Sequence, residues 1–205
     1  MNAPTPPPAA PEFSAPPTDP MSLLHAWFAS AVAQGVREPG ALALATANTH
    51  GHASNRIVQM LAVRPTGLVF TSHASSHKGR DLAATGWASG VLYWRETGRQ
   101  VIATGPTHPL PDTESNTLWA ARPTSTHPMS VASHQSAPLH NEDALRQQAQ
   151  QLGRTGLALA RPAAWLGYLL TPESIEFWQA SPDRLHHRLR YQRTGPSWTT
   201  QRLQP

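Results

Sequence analysis

Short strand-like segments that follow one another through tight turns limit most strongly how this chain can fold. Asn48 to Gly51 separate the segments 41–47 and 54–63, and Arg95 to Gly98 separate the segments 88–94 and 100–104. Turns this short join antiparallel neighbours, whereas parallel strands need a long crossover connection, usually a helix. The pattern therefore predicts an antiparallel sheet and argues against a parallel dinucleotide-binding sheet.

Helical and strand patterns fill the rest of the chain. Asp19 and Pro20 are typical of a helix start, and apolar residues then recur at helical spacing as far as Gly35. Further helices are predicted over 76–84, 111–121 and 141–152, and further strands over 68–72, 167–170, 174–178, 187–191 and 198–203. The prediction is a mainly β fold with helices (α+β), an antiparallel barrel decorated by helices.

Composition predicts one folded domain and a tail. The 205 residues are 39% hydrophobic, enough for a single core, but eight of the 21 prolines lie in the first twenty residues. Such a segment buries too little apolar surface to offset its ordering. Residues 1–18 are therefore predicted to be disordered or loosely docked, and residues 19–205 to form the domain.

Several functional classes are excluded or disfavoured. With no cysteine, the chain has no disulfide and no thiolate metal site, so redox chemistry needs a bound cofactor. The eleven histidines show no HExxH-type spacing, so no metal is predicted, and no apolar run is long enough for a membrane span. The expectation is a soluble, cytoplasmic protein.

One segment has the character of an anion site. Ser76, His77, Lys78 and Arg80 lie where a strand gives way to a helix, and Arg56 starts an earlier strand. Backbone N–H groups at a helix start, together with hydroxyls and cations, favour a phosphate. A solvated helix start with capping serines remains the alternative.

A second segment combines an aromatic residue with alternating cations. In a strand, Arg184, His186, Arg188 and Arg190 would share one face beside Trp178, and that face would suit a planar anionic ligand. A solvated strand edge is the alternative. By themselves, Gln100 could belong to a core network, and His134, Gln135 and Ser136 could form a surface turn.

In their order and spacing these segments resemble the pyridoxine 5'-phosphate oxidase family, over nearly the whole chain from Asp19. The matching segments are residues 19–21, 56–58, 76–79, 99–101, 122–123, 135–136, 175–179, 184–188 and 202–205.

The resemblance implies an FMN-binding split barrel and a homodimer with its flavins at the subunit interface. The residues that it assigns to FMN are Arg56, Ile57, Thr71, Ser72, His77, Lys78, Gln100, Gln135, Ser136, Trp178 and Arg188. At His77 an arginine is common in the family, so one flavin contact is weakened. Arg184 and His186 would face the substrate and serve in its orientation or in proton handling.

Departures from the family pattern concern the substrate. Leu61 stands where relatives that oxidise the B6 phosphate ester have lysine, Leu118 where they have tyrosine, and Thr126 where they have serine, while Arg122 is retained. Each lost charged hydrogen bond costs about 1.5–3 kcal/mol of binding free energy, so the phosphate ester is disfavoured.

Residues 87–97 and 126–130 are similar to the branch of this family that works in phenazine biosynthesis. That similarity implies oxidation of hexahydrophenazine-1,6-dicarboxylate or tetrahydrophenazine-1-carboxylate, with dioxygen reduced to hydrogen peroxide. The alternatives are a pyridoxamine or pyridoxine 5'-phosphate oxidase and a non-catalytic flavin- or heme-binding split barrel. A nucleic-acid-binding module ranks third among the alternatives. A surface that binds nucleic acid regardless of sequence usually contains lysine as well as arginine, and Lys78 is the sole lysine.

Overall fold

The computed structural model describes residues 9–205. Its helices are α1 (Pro20–Ala33), α2 (His77–Thr85), α3 (Asp112–Ala120), α4 (His127–Ala132) and α5 (Glu142–Gly153). Its strands are β1 (Ala41–Ala47), β2 (Ala53–Arg64), β3 (Gly67–His73), β4 (Trp87–Trp94), β5 (Arg99–Pro109), β6 (Trp165–Leu170), β7 (Ser174–Gln179), β8 (His187–Thr194) and β9 (Ser197–Arg202).

Six strands close into an antiparallel barrel in the order β4-β1-β2-β3-β6-β5, and β5 pairs back onto β4. The long strand β5 divides on its other edge, where residues 99–104 pair with β7 and residues 107–109 pair with β6. Strands β8 and β9 extend the sheet beyond β7. The predicted antiparallel barrel with helices is confirmed.

Alternation along the strands separates the core from an outer face. Leu42, Leu92, Val101, Phe177 and Leu189 are successive neighbours across β1, β4, β5, β7 and β8, and all belong to one buried hydrophobic core. Cross-strand neighbours point to the same face, so the residues between these point outward. The side chains that local sequence patterns do not explain lie on this outer face.

Side-chain caps fix where the helices begin. The Asp19 carboxylate accepts hydrogen bonds from the N–H groups of Met21 (3.0 Å) and Ser22 (3.1 Å), as its N-cap pattern predicts. The Ser76 hydroxyl accepts one from Gly79 N–H (3.2 Å), so α2 begins at His77. The Ser76 cap fixes the position of α2 relative to the end of β3.

Residues 9–18 fall in the segment predicted as a tail, yet they pack on the barrel. Phe13 is buried against Trp27, with 6.0 Å between ring centres, and its carbonyl accepts a hydrogen bond from Arg202 Nη1 (2.6 Å). The Tyr191 hydroxyl donates to Pro17 O (2.9 Å). One buried phenylalanine thus anchors a proline-rich segment. Residues 1–8 lie outside the described residues, and the domain boundary at residue 19 stays a prediction.

Helix α3 packs on β6, helix α4 packs on α5, and the stacked rings of Trp119 and His127 join α3 to α4. Together these helices form a second apolar layer. Trp119, Ala132 and Trp165 are buried in this layer. A Cβ on Gly167 would lie 2.7 Å from Leu118 Cδ1, so the missing side chain lets α3 lie close to β6. Within residues 9–205, no helix combines the length and the hydrophobicity that crossing a membrane requires.

Candidate functional site

A cationic cradle forms where β3 ends and α2 begins; its residues are Arg56, Ser72, Ser76, Lys78 and Gln135. Lys78 Nζ donates to Gln135 Oε1 (3.4 Å), and the Ser72 hydroxyl donates to the same oxygen (3.3 Å). The hydroxyls of Ser72 and Ser76 are 3.2 Å apart. Strand end, helix start and a distant loop thus meet at one point.

Arg56 reaches the cradle from β2 and is held by neutral oxygens. Its Nη1 donates to Leu44 O (3.1 Å) and Thr46 Oγ1 (2.9 Å), and its Nη2 donates to Ser54 Oγ (2.5 Å). Both hydroxyls in turn donate to Asp81 Oδ2, at 2.7 Å from Thr46 and 3.3 Å from Ser54. Asp81 therefore orients Arg56 through two hydroxyl groups rather than by a direct ion pair.

The charge balance of the cradle suits an anion. Burial lowers the pKa of the Lys78 ammonium, and the nearby positive charge of Arg56 lowers that pKa further. Burial also lowers the pKa of Arg56, and the negative charge of Asp81 offsets part of this shift by raising that pKa. Among residues 9–205 no carboxylate lies within 4 Å of Lys78 Nζ. A buried cation without a counterion is costly, so the donor set fits a phosphate group.

The loop after α4 brings Gln135 and Ser136 to the cradle. Ser136 has a φ of 70°, in the left-handed region, which costs a residue other than glycine about 1–2 kcal/mol. Its hydroxyl accepts a hydrogen bond from His77 N–H (3.2 Å), which ties the loop to the first residue of α2. The His77 side chain is exposed and lies 3.7 Å from Asp81, so only its backbone faces Ser136.

An adjoining cavity of about 280 Å³, the arginine cavity, shares Ser72 and Gln135 with the cradle. Thr71 and Arg122 also line it, so four of the predicted site residues meet here. The residues that sequence reasoning missed are His73, Met129, Ser130, Ser133 and Trp165. Of these, His73 and Trp165 are neighbours across β3 and β6, a pairing that local sequence patterns do not reveal.

Arg122 is held in this cavity by two aromatic rings. Its guanidinium carbon lies 5.0 Å from the ring centre of Trp119 and 5.2 Å from that of Trp165, within cation–π range. Nη2 donates to Ser130 Oγ (3.1 Å), whereas Nη1 is buried with no hydrogen-bond partner in the described part of the chain. Burial lowers the pKa of Arg122. An unpaired buried donor of this kind fits an anionic ligand group.

Gln100, Trp178 and Arg188 form a second group, the aromatic row, on the outer face of the sheet. They are direct neighbours across β5, β7 and β8, so their side chains lie side by side. Glu176 fixes the end of the row by accepting hydrogen bonds from Arg188 Nε (2.7 Å) and Arg190 Nη2 (2.9 Å).

The prediction that Arg184 and His186 continue a cationic strand face is wrong, because β8 begins only at His187. The Asp183 carboxylate accepts a hydrogen bond from Leu185 N–H (3.0 Å) and closes a turn in which Arg184 has a φ of 66°. His186 Nδ1 accepts from Ser181 N–H (3.1 Å), so in the neutral ring Nε2 carries the proton. The His186 ring also lies 4.8 Å from that of Trp178.

The cradle and the aromatic row do not meet within one chain. Arg56 is the cross-strand neighbour of the buried Leu44, so it points to the inner face, whereas Gln100 points outward. Strands β2 and β5 also occupy opposite sides of the six-stranded ring.

Other predicted residues lie away from both groups. Ile57 and Leu61 are exposed on β2, at 65% and 45%, and Leu118 packs near Gly167. Thr126 is exposed and donates to Pro123 O (2.8 Å). Leu61, Leu118 and Thr126 do not line the arginine cavity, so their predicted roles at the substrate stay predictions.

The fold and the two groups of residues define a split-barrel protein, and comparison with family models agrees. Residues 28–155 match the pyridoxamine 5'-phosphate oxidase model, and residues 165–205 match the pyridoxine 5'-phosphate oxidase C-terminal dimerisation region. The chain belongs to the pyridoxamine 5'-phosphate oxidase family.

Three relatives within this family show how similar the chain is to individual proteins. The chain is 49% identical to dihydrophenazinedicarboxylate synthase of Burkholderia lata, over 95% of this chain and 92% of that protein. It is 47% identical to the synthase of the same name from Pseudomonas chlororaphis, over 95% and 88%. A pyridoxine/pyridoxamine 5'-phosphate oxidase of Nitrobacter hamburgensis is 40% identical, over 92% and 90%.

Two solved structures also resemble the chain, at different levels of sequence identity. The structure of PhzG from Burkholderia lata in complex with tetrahydrophenazine-1-carboxylic acid matches with a TM-score of 0.94, over 96% of this chain and 98% of that chain, at 49% identity. A pyridoxamine 5'-phosphate oxidase-related, FMN-binding protein from Nostoc punctiforme matches with a TM-score of 0.72 at 17% identity, over 90% and 100%, and so supports the fold alone. The predicted resemblance to oxidases of phenazine biosynthesis is confirmed.

Proposed function

We propose that this chain is an FMN-dependent oxidase of phenazine biosynthesis. Its substrates would be reduced phenazine carboxylates such as hexahydrophenazine-1,6-dicarboxylate or tetrahydrophenazine-1-carboxylate, which it oxidises towards the aromatic compounds. The observation that carries the proposal is the Arg122 guanidinium, a donor that makes no ion pair in the described part of the chain and lines a cavity together with Trp165 and Met129. A carboxylate would satisfy that donor while the ring system contacts the apolar wall. The relatives at 49% and 47% identity support this substrate class.

The cationic cradle is the proposed binding site of the FMN phosphate. Lys78 and Arg56 would supply the charge, and Gln135 and Ser136 would supply hydrogen bonds to the phosphate and ribityl groups. When bound, FMN would supply the two-electron redox chemistry of the proposed reaction, in which the reduced ring would lose two electrons and two protons and dioxygen would be reduced to hydrogen peroxide. The protein residues position the substrate and the flavin and exclude water.

We propose a homodimer in which each site uses both copies. The cradle of one chain would face the aromatic row of the other, because the two groups lie on opposite sides of one barrel. The match of residues 165–205 to a dimerisation region supports this arrangement. Trp178 would then flank the flavin, while Gln100 and Arg188 contact its polar edge. The cytoplasmic location expected from the sequence stays a prediction.

Arg184 and His186 would contact the substrate from the turn before β8. Because His186 Nδ1 already accepts the Ser181 N–H, the neutral ring presents Nε2–H and acts as a hydrogen-bond donor. This geometry favours a role in orienting the substrate over one in accepting its proton. Arg184, exposed beside it, adds a positive charge that suits a second carboxylate.

The rival function is oxidation of pyridoxamine or pyridoxine 5'-phosphate, because Arg122 could also bind a phosphate and relatives at 40% identity carry that name. Leu61 and Leu118 disfavour it, since leucine donates no hydrogen bond to a phosphate. A non-catalytic flavin or heme carrier is the remaining possibility from another class.

An anaerobic bleaching assay on the purified, flavin-loaded protein separates these functions. A chemically reduced phenazine carboxylate should bleach the flavin colour, whereas pyridoxamine 5'-phosphate should not. The reverse result would establish the B6 oxidase, bleaching by neither would favour the carrier, and a protein that binds no flavin would refute the assignment.

The variant Arg122→Met should raise the phenazine concentration needed for half-maximal bleaching about ten- to hundredfold, because it removes one charged hydrogen bond. Its flavin content should be unchanged. Arg154→Met, which removes an exposed arginine far along the chain, is the matched control and should behave like the parent protein.

A further inference from the structure

His73 is a histidine that the proposed chemistry has not used. It is the last residue of β3, and it pairs across the sheet with Trp165, so both side chains lie on the side covered by the helical layer. It lines the arginine cavity together with Arg122 and is 9% exposed. Within residues 9–205 its ring makes no hydrogen bond, and its ring nitrogens are not among the fully buried side-chain atoms that lack a partner, so they keep some accessible surface.

His73 lies near several groups that carry or can carry a positive charge. Burial lowers the pKa of its imidazole, and Arg122 at the end of α3, Lys78 on α2 and His134 in the loop after α4 lower that pKa further. The ring is therefore neutral at neutral pH and offers one N–H donor and one acceptor. A neutral donor beside an unpaired arginine nitrogen forms a two-point site for an anion.

We propose that His73 is a second substrate-contacting residue, whose imidazole holds one carboxylate of the substrate together with Arg122. The inference rests on the proposed function and adds to it the residue that completes the carboxylate site. The Arg122 guanidinium would bind one carboxylate oxygen and the His73 N–H would bind the other. Trp119 and Trp165 hold the arginine side of this clamp in place.

The clamp has a consequence that a purely structural histidine would not have. A carboxylate arriving next to His73 offsets the surrounding positive charges and raises the pKa of the imidazole. Near pH 6.5, the ordinary pKa of histidine, binding should therefore take up a fraction of a proton, and well above that pH it should take up none. No proton uptake is expected when an uncharged phenazine binds.

The test is calorimetric titration of the flavin-loaded protein with phenazine-1-carboxylate, in two buffers of different ionisation enthalpy at pH 6.5 and pH 8. The parent protein should bind with proton uptake at the lower pH only. His73→Gln, which keeps a donor but does not titrate, should bind within a few-fold and without uptake. His73→Leu should bind about ten- to hundredfold more weakly. His134→Gln, at an exposed neighbouring histidine, should retain the uptake.

The outcomes distinguish failure of the His73 role from failure of the proposed function. If the parent protein binds phenazine-1-carboxylate and His73→Leu binds as tightly with the same proton uptake, the role of His73 is refuted and the proposed function stands. If the parent protein does not bind the ligand at all, the proposed function fails, and the clamp fails with it. Because His73→Gln reports through proton uptake, the test holds even where His73→Leu folds poorly.

Discussion

Lys78 is buried and Arg122 is half-buried, and neither cation makes an ion pair in the described part of the chain. Stable proteins rarely keep such groups without compensation, because removing a charge from water costs several kcal/mol unless a partner replaces the water. An anion at each residue would supply the missing partner. The proposed phosphate at Lys78 and the proposed carboxylate at Arg122 would then lie on either side of Ser72 and Gln135, which the cradle and the arginine cavity share.

The variant Lys78→Met tests the cradle. It keeps the length of the side chain and removes the ammonium, so FMN should bind about ten- to hundredfold more weakly, as one charged hydrogen bond predicts. Titration of the apoprotein with FMN, followed by quenching of flavin fluorescence, measures the change. Arg80→Met, an exposed cation on the same helix, should leave the affinity unchanged. Equal losses in both variants would mean that general charge, and not the cradle, attracts the flavin.

At the scale of elements, the cradle depends on how closely α2 follows β3. A Cβ built on Gly79 would lie 2.4 Å from the carbonyl oxygens of both His73 and Ala74, and backbone atoms cannot move aside as a side chain would. Glycine is therefore needed here for close approach, since Gly79 has an ordinary helical backbone.

Gly79→Ala should accordingly displace the first turn of α2. We expect a loss of about 1–3 kcal/mol in the free energy of unfolding, as for other overpacked sites, together with weaker FMN binding. Chemical denaturation and flavin titration measure the two effects. Ala84→Ser, at an exposed position of the same helix, should change neither. Full stability and full flavin affinity in Gly79→Ala would contradict the close approach.

The sequence predicts the elements well where the signal is local. Turns such as Asn48 to Gly51 and caps such as Asp19 act within a few residues, so strand order and helix starts follow from them. Helix α4 is missed because it is six residues long and has no capping side chain. The strand alternation was wrongly extended to Arg184 and His186, because the turn closed by Asp183 takes the place of a strand there.

The site is harder to predict than the elements. His73 and Trp165 are 92 positions apart and meet only through the register of β3 and β6. Propensity and periodicity carry no information about such a pairing. The members of the aromatic row are likewise brought together by the registers of β5, β7 and β8. Resemblance to the family supplies them, whereas local patterns do not.

For the whole molecule, the closed ring has a consequence for assembly. Arg56 of the cradle points to the inner face of β2, whereas the aromatic row lies on the outer face of the sheet at β5, on the opposite side of the ring. In the proposed homodimer, the cradle on the β2 side of one copy and the aromatic row on the β5 side of the other would share one flavin. Exposed apolar side chains on the outer face, Ile57 on β2 and Tyr93 on β4, are consistent with a surface that a second copy covers.

Ile57→Lys tests this association. The lysine would place an unpaired charge in the proposed interface, which costs several kcal/mol, so the dimer should dissociate at concentrations at least about a hundredfold higher than for the parent protein. Light scattering across a dilution series measures the mass, and absorbance gives the flavin retained. Val32→Lys, at a similarly exposed apolar residue on α1, should remain dimeric and yellow. If Ile57→Lys stays dimeric, this face is not the interface; if it is monomeric yet keeps its flavin with full affinity, one chain suffices for the site.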